Sequence, residues 1–133
     1  MAVKLAQKTA FQAALALNET GVELQHANRH EEAIITFDKA LKLNPNSAAR
    51  INKGNSLRAL GRHEDAIECF NEEIKRNPRN SDAYYSKGNV LGDLGRFEEA
   101  IAAFDKALEI NPDDTEARRY RELAIKYLKG NVE

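Results

Sequence analysis

The chain has 133 residues, one domain or one short array of repeats; 31% are charged, the net charge is −1 and the pI is near 6.3. A sign-balanced surface of this kind gives no bulk attraction to nucleic acid or to an anionic membrane, and no run of about 18 apolar residues could span one. The lone Cys69 excludes an intrachain disulfide and suits a reducing, cytoplasmic compartment.

Residues 1–13 open with Lys4 ahead of an Ala/Leu stretch, the faint outline of a targeting segment. Gln7, Lys8 and Gln12 interrupt it too closely for a continuous apolar core, so no cleaved leader is expected. Nothing between Met1 and Asn18 signals a turn, so the first helix is expected to begin near residue 4. Val3, Leu5 and Phe11 would then project apolar surface past the rest of the fold, toward another copy or toward a groove. A frayed terminus is the plainer alternative.

From there one phrase recurs three times. Gly21, Gly54 and Gly88 are spaced by 33 and 34 residues, and Ala33/Ala66/Ala100, Phe37/Phe70/Phe104 and Pro45/Pro78/Pro112 keep the same spacing. A fixed period of this length marks a stacked solenoid, framed as 14–46, 47–80 and 81–114. Each unit reads as two helices. In the third, Ala83, Tyr84, Gly88, Leu91 and Leu94 form one helical stripe, with Asn80 or Ser81 as N-cap. Gly95 supplies the left-handed residue that ends this helix, as Gly61 and Asn28 do in the other units. Glu98 and Glu99 open the second helix, whose stripe is Ala100, Ile101, Phe104, Ala107 and Leu108, and Pro112 stops it. No segment alternates with period two, so the fold is read as all-α. The small residues Gly88 and Ala100 are expected where the two helices come closest, with Phe104 filling the space they leave.

Residues 115–128 follow as a seventh helix that covers the last unit, with Ala117, Ala124, Ile125 and Leu128 inward. Arg118 and Glu122 stand where a further unit would dock, so it reads as a solvating cap; 129–133 is a tail.

The frame resembles the tetratricopeptide repeat. Unit three supplies its pattern in full as Tyr84, Gly88, Leu91, Ala100, Phe104, Ala107 and Pro112, and unit one as Leu17, Gly21, Leu24, Ala33, Phe37, Ala40 and Pro45. Unit two departs with Arg50 and Glu73 at two frame positions and with Arg76 where Leu43 and Ile110 stand elsewhere. Its seam to unit three is therefore expected to be the wettest, unless Arg50 and Glu73 compensate one another. If Glu73 is buried beside unit three, Glu73→Ala is expected to stabilise, because Ala40 and Ala107 hold the equivalent sites; a loss would instead mean that Glu73 is held in an ion pair, with Arg50 the first suspect.

The resemblance implies a right-handed superhelical solenoid of seven helices whose first helices line a concave groove for peptides or protein segments. The residues it places there include Asn52, Asn55, Arg58, Tyr85, Asn89, Asp93, Arg119, Lys126 and Tyr127. Asn55 and Asn89 occupy one rung on successive units, and a primary amide can both donate to and accept from an extended peptide backbone. Equally, such amides can bond a neighbouring helix or water. The carboxylate clamp known in this family would need cationic and amide residues where this chain has Asn18, Val22, Asn52, Asp82 and Ser86. Only Asn52 matches, and Asp82 would repel the ligand.

Other chemistry finds little support. His30 and His63 hold equivalent turn positions, but Phe97 stands there in unit three, which points to packing rather than to a metal. Cys69 takes a position held by Thr36 and Ala103, a small, partly buried site. No nucleophile–base pair or phosphate loop is present, so neither catalysis nor a cofactor is expected. The reading is a non-catalytic scaffold that holds a protein or peptide partner, without nucleic acid or membrane. The alternatives are a homo-oligomer formed through the N-terminal arm and the adaptor portion of a longer protein.

Overall fold

The computed structural model describes residues 2–46 and 48–130. Among them are seven helices and no strand: α1 (Ala2–His26), α2 (His30–Leu43), α3 (Ala49–Ala59), α4 (His63–Arg76), α5 (Ser81–Asp93), α6 (Phe97–Ile110) and α7 (Thr115–Leu128). The fold is all-α, as the periodicity predicts. The chain divides into two compact units, Met1–Asp65 and Ala66–Glu133, with the boundary inside α4. In the first, α1 and α2 form a hairpin and α3 packs on α2; in the second, α5 and α6 form a hairpin and α7 packs on α6.

The hairpin turns follow from three residues with positive φ. Asn28 (60°), Gly61 (77°) and Gly95 (74°) each follow a first helix and adopt the left-handed conformation expected of them. In the third turn Gly95 N donates to Gly92 O at 3.0 Å and Arg96 N to Leu91 O at 2.9 Å, so two last-turn carbonyls of α5 are satisfied. The same two bonds recur at Asn28–Arg29 and at Gly61–Arg62. The arginine that follows each turn then pairs with an acid three residues on: Arg29 with Glu32, Arg62 with Asp65 and Arg96 with Glu99. The hydrogen bond from Arg29 holds the Glu32 carboxyl below its ordinary value. These pairs lie at the surface and fix the turn geometry more than they add stability.

Inside each hairpin the small residues do what their spacing predicts. A Cβ built on Gly88 of α5 would stand 2.6 Å from Phe104 Cε1 of α6, and one on Gly21 of α1 would run into the Phe37 ring of α2. Phe37 and Phe104 are buried, as are Ala33, Ala40, Ala100 and Ala107 around them. In the first unit Ala14, Ala33, Phe37, Ala40 and Ala49 form one cluster, with Leu17, Leu24 and Leu41 packed against it. In the second, Ala117 and Ala124 of α7 are buried and Ile125 is half-buried, but Leu128 is 47% exposed and does not join them as expected. It is the last residue of α7, where the helix ends.

The departures of unit two acquire a physical reason. Arg50, buried at 9% exposure, donates from Nη1 to the carbonyl of Pro45 at 2.8 Å. Tyr84 Oη donates to Pro78 O at 3.2 Å, and Arg118 Nη2 donates to Pro112 O at 2.6 Å. The fourth residue of each following segment thus ties the start of a helix to the proline that ended the one before. Arg50 is a substitute for Tyr84 in this bond rather than a gap in the frame, and Arg118 keeps the bond at the cap. Arg76 is exposed and pairs with Glu72 at 3.0 Å. Glu73 is buried but not left bare: its Oε2 accepts from Asn80 Nδ2 at 3.2 Å, while Asn80 Oδ1 accepts from Asp82 N at 3.1 Å and caps α5.

Two stability measurements test this packing. Gly88→Ala should cost about 1–3 kcal/mol, since overpacking against the buried Phe104 ring outweighs the better helix propensity of alanine. Gly92→Ala, in the same helix but with nothing within 4 Å of the added carbon, should gain roughly 0.5–1 kcal/mol. A denaturant midpoint that moves the same way in both would contradict the assignment of the Phe104 contact. For Glu73→Ala the sign expected from sequence reverses. It removes the acceptor of the Asn80 amide that caps α5 and should destabilise by about 1–2 kcal/mol, with Glu73→Gln recovering most of the loss.

Candidate functional site

The first unit presents a polar face between α1 and α3. Gln25 Nε2 of α1 donates to Asn52 O and to Ser56 Oγ of α3, both at 2.7 Å, and Asn52 Nδ2 donates back to Asn18 Oδ1 at 2.9 Å. His30 Nδ1 at the start of α2 pairs with the same Ser56 hydroxyl at 3.2 Å. Ser56 is fully buried and both Asn18 and Asn52 are half-buried, so this ladder holds the two first helices in register. Asn52 is thereby engaged within the protein. Asn55, one turn further round α3, is exposed, and Arg58 is half-buried.

The second unit carries an aromatic face between α5 and α7. The half-buried Tyr85 ring lies 6.1 Å from Phe104 and 6.2 Å from Tyr120, tilted by 49° and 51°, an arrangement that leaves it few rotamers. Arg119 places its guanidinium carbon 4.9 Å from the centre of the Tyr120 ring and donates to Tyr120 Oη at 3.1 Å and to Glu116 at 3.2 Å. The bond to Tyr120 and the charge of Glu116 raise the Arg119 pKa above its ordinary value, so the group stays a cation. Asn89 is half-buried on α5; Asp82 and Asp93 of the same helix and Lys126 of α7 are exposed. Leu123, between Arg119 and Lys126, is 40% exposed.

Tyr127 is 48% exposed. Its ring stacks on Phe97 of α6 at 5.3 Å with an 8° interplanar angle, so it is occupied in packing the cap against the α5–α6 turn. That contact, with the His30–Ser56 pair, shows the turn position at the start of a second helix packing on the next first helix. Among the described residues no group of three or more His, Cys, Asp or Glu could hold a metal ion. Sequence reasoning missed Tyr120. Tyr120 stands where the repeats have Glu19, Asn52 and Ser86, and an aromatic in that place was the available signal.

A separate groove of about 420 Å³ lies on another face of α5, lined by Tyr84, Leu91, Glu99 and Ala103 and framed by Lys87 and Lys106. Its polar groups are partly committed: Tyr84 to Pro78 and Lys106 to Glu109 at 3.5 Å.

Profiles of the tetratricopeptide repeat match residues 14–47 and 51–115. The chain belongs to the tetratricopeptide repeat family. Members of this family are protein-interaction modules. No curated protein sequence matches this one. Among solved structures, the first tetratricopeptide domain of Spaghetti (RPAP3) bound to the HSP90 peptide SRMEEVD is similar, with a TM-score of 0.84 and 24% identity over 90% of this chain and 95% of that one. The tetratricopeptide domain of Arabidopsis OM64 is similar with a TM-score of 0.81 and 23% identity, over 89% of this chain and 98% of that one. MamA from Desulfovibrio magneticus RS-1 gives 0.76 and 24%, over 89% and 67%. At these identities the likeness is one of fold, and the chemistry of the faces is this chain's own. No helix among the described residues is long and apolar enough to cross a membrane.

Proposed function

We propose that this tetratricopeptide protein is a non-catalytic scaffold that holds an extended segment of a partner protein against its first helices. The observation that carries the reading is the Tyr85 ring fixed between Phe104 and Tyr120, half-exposed on the helix that also carries Asn89. A ring with its rotamers already restricted binds with little further loss of entropy. Asn89 beside it can bond a peptide backbone through both donor and acceptor, and Asn55 offers the same chemistry on α3. Arg119 and Lys126 on α7, with Asp82 and Asp93 on α5, give the ligand mixed rather than single-sign surroundings, so binding should depend only modestly on salt. The reading assigns the chain no cofactor and no chemical step, and a cytoplasmic setting consistent with a single cysteine, Cys69.

Three residues argue against an acidic peptide such as the SRMEEVD of the RPAP3 complex. Asp82 stands where a cation would be needed, Ser86 is buried, and Asn52 is bonded to Asn18. Calorimetry with SRMEEVD should therefore give no measurable heat of binding at about 100 μM, an affinity weaker than roughly −5 kcal/mol. A saturable isotherm would mean that cations elsewhere in the chain replace the missing ones.

Peptides selected from a random library on the intact protein provide the direct test. Asn89→Ala should weaken their binding by about 1–2 kcal/mol, with helicity unchanged, while the exposed Glu98→Ala on α6 should leave affinity as it is. If Asn89→Ala, Asn55→Ala and Tyr85→Ala all bind as the parent does, the first-helix faces are not where the ligand sits.

A further inference from the structure

The first helix is 25 residues long, against 11 and 13 for α3 and α5. It begins at Ala2, two residues before the expected start, and residues 2–9 at its start are all exposed. Along this overhang lies a groove of about 560 Å³ lined by Ala2, Leu5, Ala6, Thr9, Ala10, Ala13 and, from the end of α2, Leu43. It is continuous with the core cluster of the first unit, which begins at Ala14. Leu5 is 66% exposed and Leu43 is 44% exposed, so the groove has apolar walls open to water.

We propose that this groove is filled by the same segment of a second copy, the two overhangs lying antiparallel about a two-fold axis. Three observations select that occupant. The lining is self-complementary: with the axis between Gln7 and Lys8, an antiparallel neighbour places Ala2 opposite Ala13, Leu5 opposite Ala10 and Ala6 opposite Thr9. Every lining residue of the overhang then meets another, and the one large side chain meets a small one. Second, the face can be desolvated without orphaning a polar group. Its single polar side chain, Thr9, already donates its hydroxyl to Leu5 O at 2.9 Å. Third, the lining carries no charge. By helical spacing Lys4 and Lys8 lie on the remaining surface of the helix, so pairing buries no like charges, and no acidic partner finds a cation inside the groove. The overhang of twelve residues is about 18 Å long, a short seam at the lower end of specific interfaces, and the dimer it makes is accordingly weak.

The two-fold arrangement closes on itself, which separates it from an overhang that inserts elsewhere on a neighbour and propagates into chains. Sedimentation equilibrium on the intact protein should give 14.9 kDa when dilute and rise to a plateau at twice that value at several hundred micromolar. Leu5→Glu and Ala6→Glu, both at exposed positions, should stay at the monomer mass throughout with unchanged circular dichroism, while Lys4→Gln should dimerise as the parent does. Register is read by cross-linking in a Cys69→Ala background. A mixture of Ala6→Cys and Thr9→Cys chains should form a disulfide-linked heterodimer at least tenfold faster than either chain alone. A parent that is monomeric at every concentration, a mass that climbs without a plateau, or equal cross-linking in the three samples would each overturn the proposal.

Discussion

A phenylalanine ring on the second helix of a pair sits where the first helix has no side chain, and much of the architecture depends on that contact. At Gly21–Phe37 and Gly88–Phe104 the space for the ring exists only because a Cβ is missing. The helix backbones can approach closely there, and alanines on the second helix, Ala33 and Ala40 or Ala100 and Ala107, keep the approach close on either side of the ring. The cost is a glycine inside each first helix, which lowers its intrinsic stability by about 1 kcal/mol. First helices therefore draw their stability from tertiary packing, and their outward faces are free to carry residues chosen for other reasons.

This contact was legible in the sequence because it recurs at one period with the same residue types. Turns were legible for a similar reason, since Asn28, Gly61 and Gly95 each satisfy a local conformational demand that few residues meet. Arg50 was not. It looked like an intrusion because the comparison was between side-chain types, whereas what is kept is a donor that reaches the carbonyl of Pro45, Pro78 or Pro112. Arginine and tyrosine are chemically unlike, yet each buries a long apolar body and ends in a donor. Glu73 was misjudged because the amide it accepts from belongs to the N-cap of the next helix, seven residues away and on no common helical face.

The candidate site was legible in outline and illegible in its internal bonds. Position along the helix picked out Tyr85, Asn89 and Arg119, and in the second unit Tyr85 and Arg119 both touch the ring of Tyr120. It could not tell which polar residues are spent within the protein. Asn52 and Asn55 look alike in sequence, but Asn52 bonds across to Asn18 while Asn55 is exposed. The difference lies in about 60° of rotation about the helix axis together with the presence of Asn18 and Gln25 on the facing helix, a coincidence of three residues that no single-repeat pattern contains.

The overhang of α1 follows from the same rules by omission. Helices α3 and α5 come after Pro45 and Pro78, which end the preceding helix and oblige a new one to nucleate. No such residue stands between Ala2 and Asn18, and an Ala- and Leu-rich segment joined to a packed helix extends without a further nucleation step. It is therefore ordered before anything covers it. A partner that docks on it loses little additional backbone entropy, and only apolar area and fit remain to set the affinity. With a lining of small side chains the area is modest while the fit is close, which favours an association that is specific in register and readily reversed.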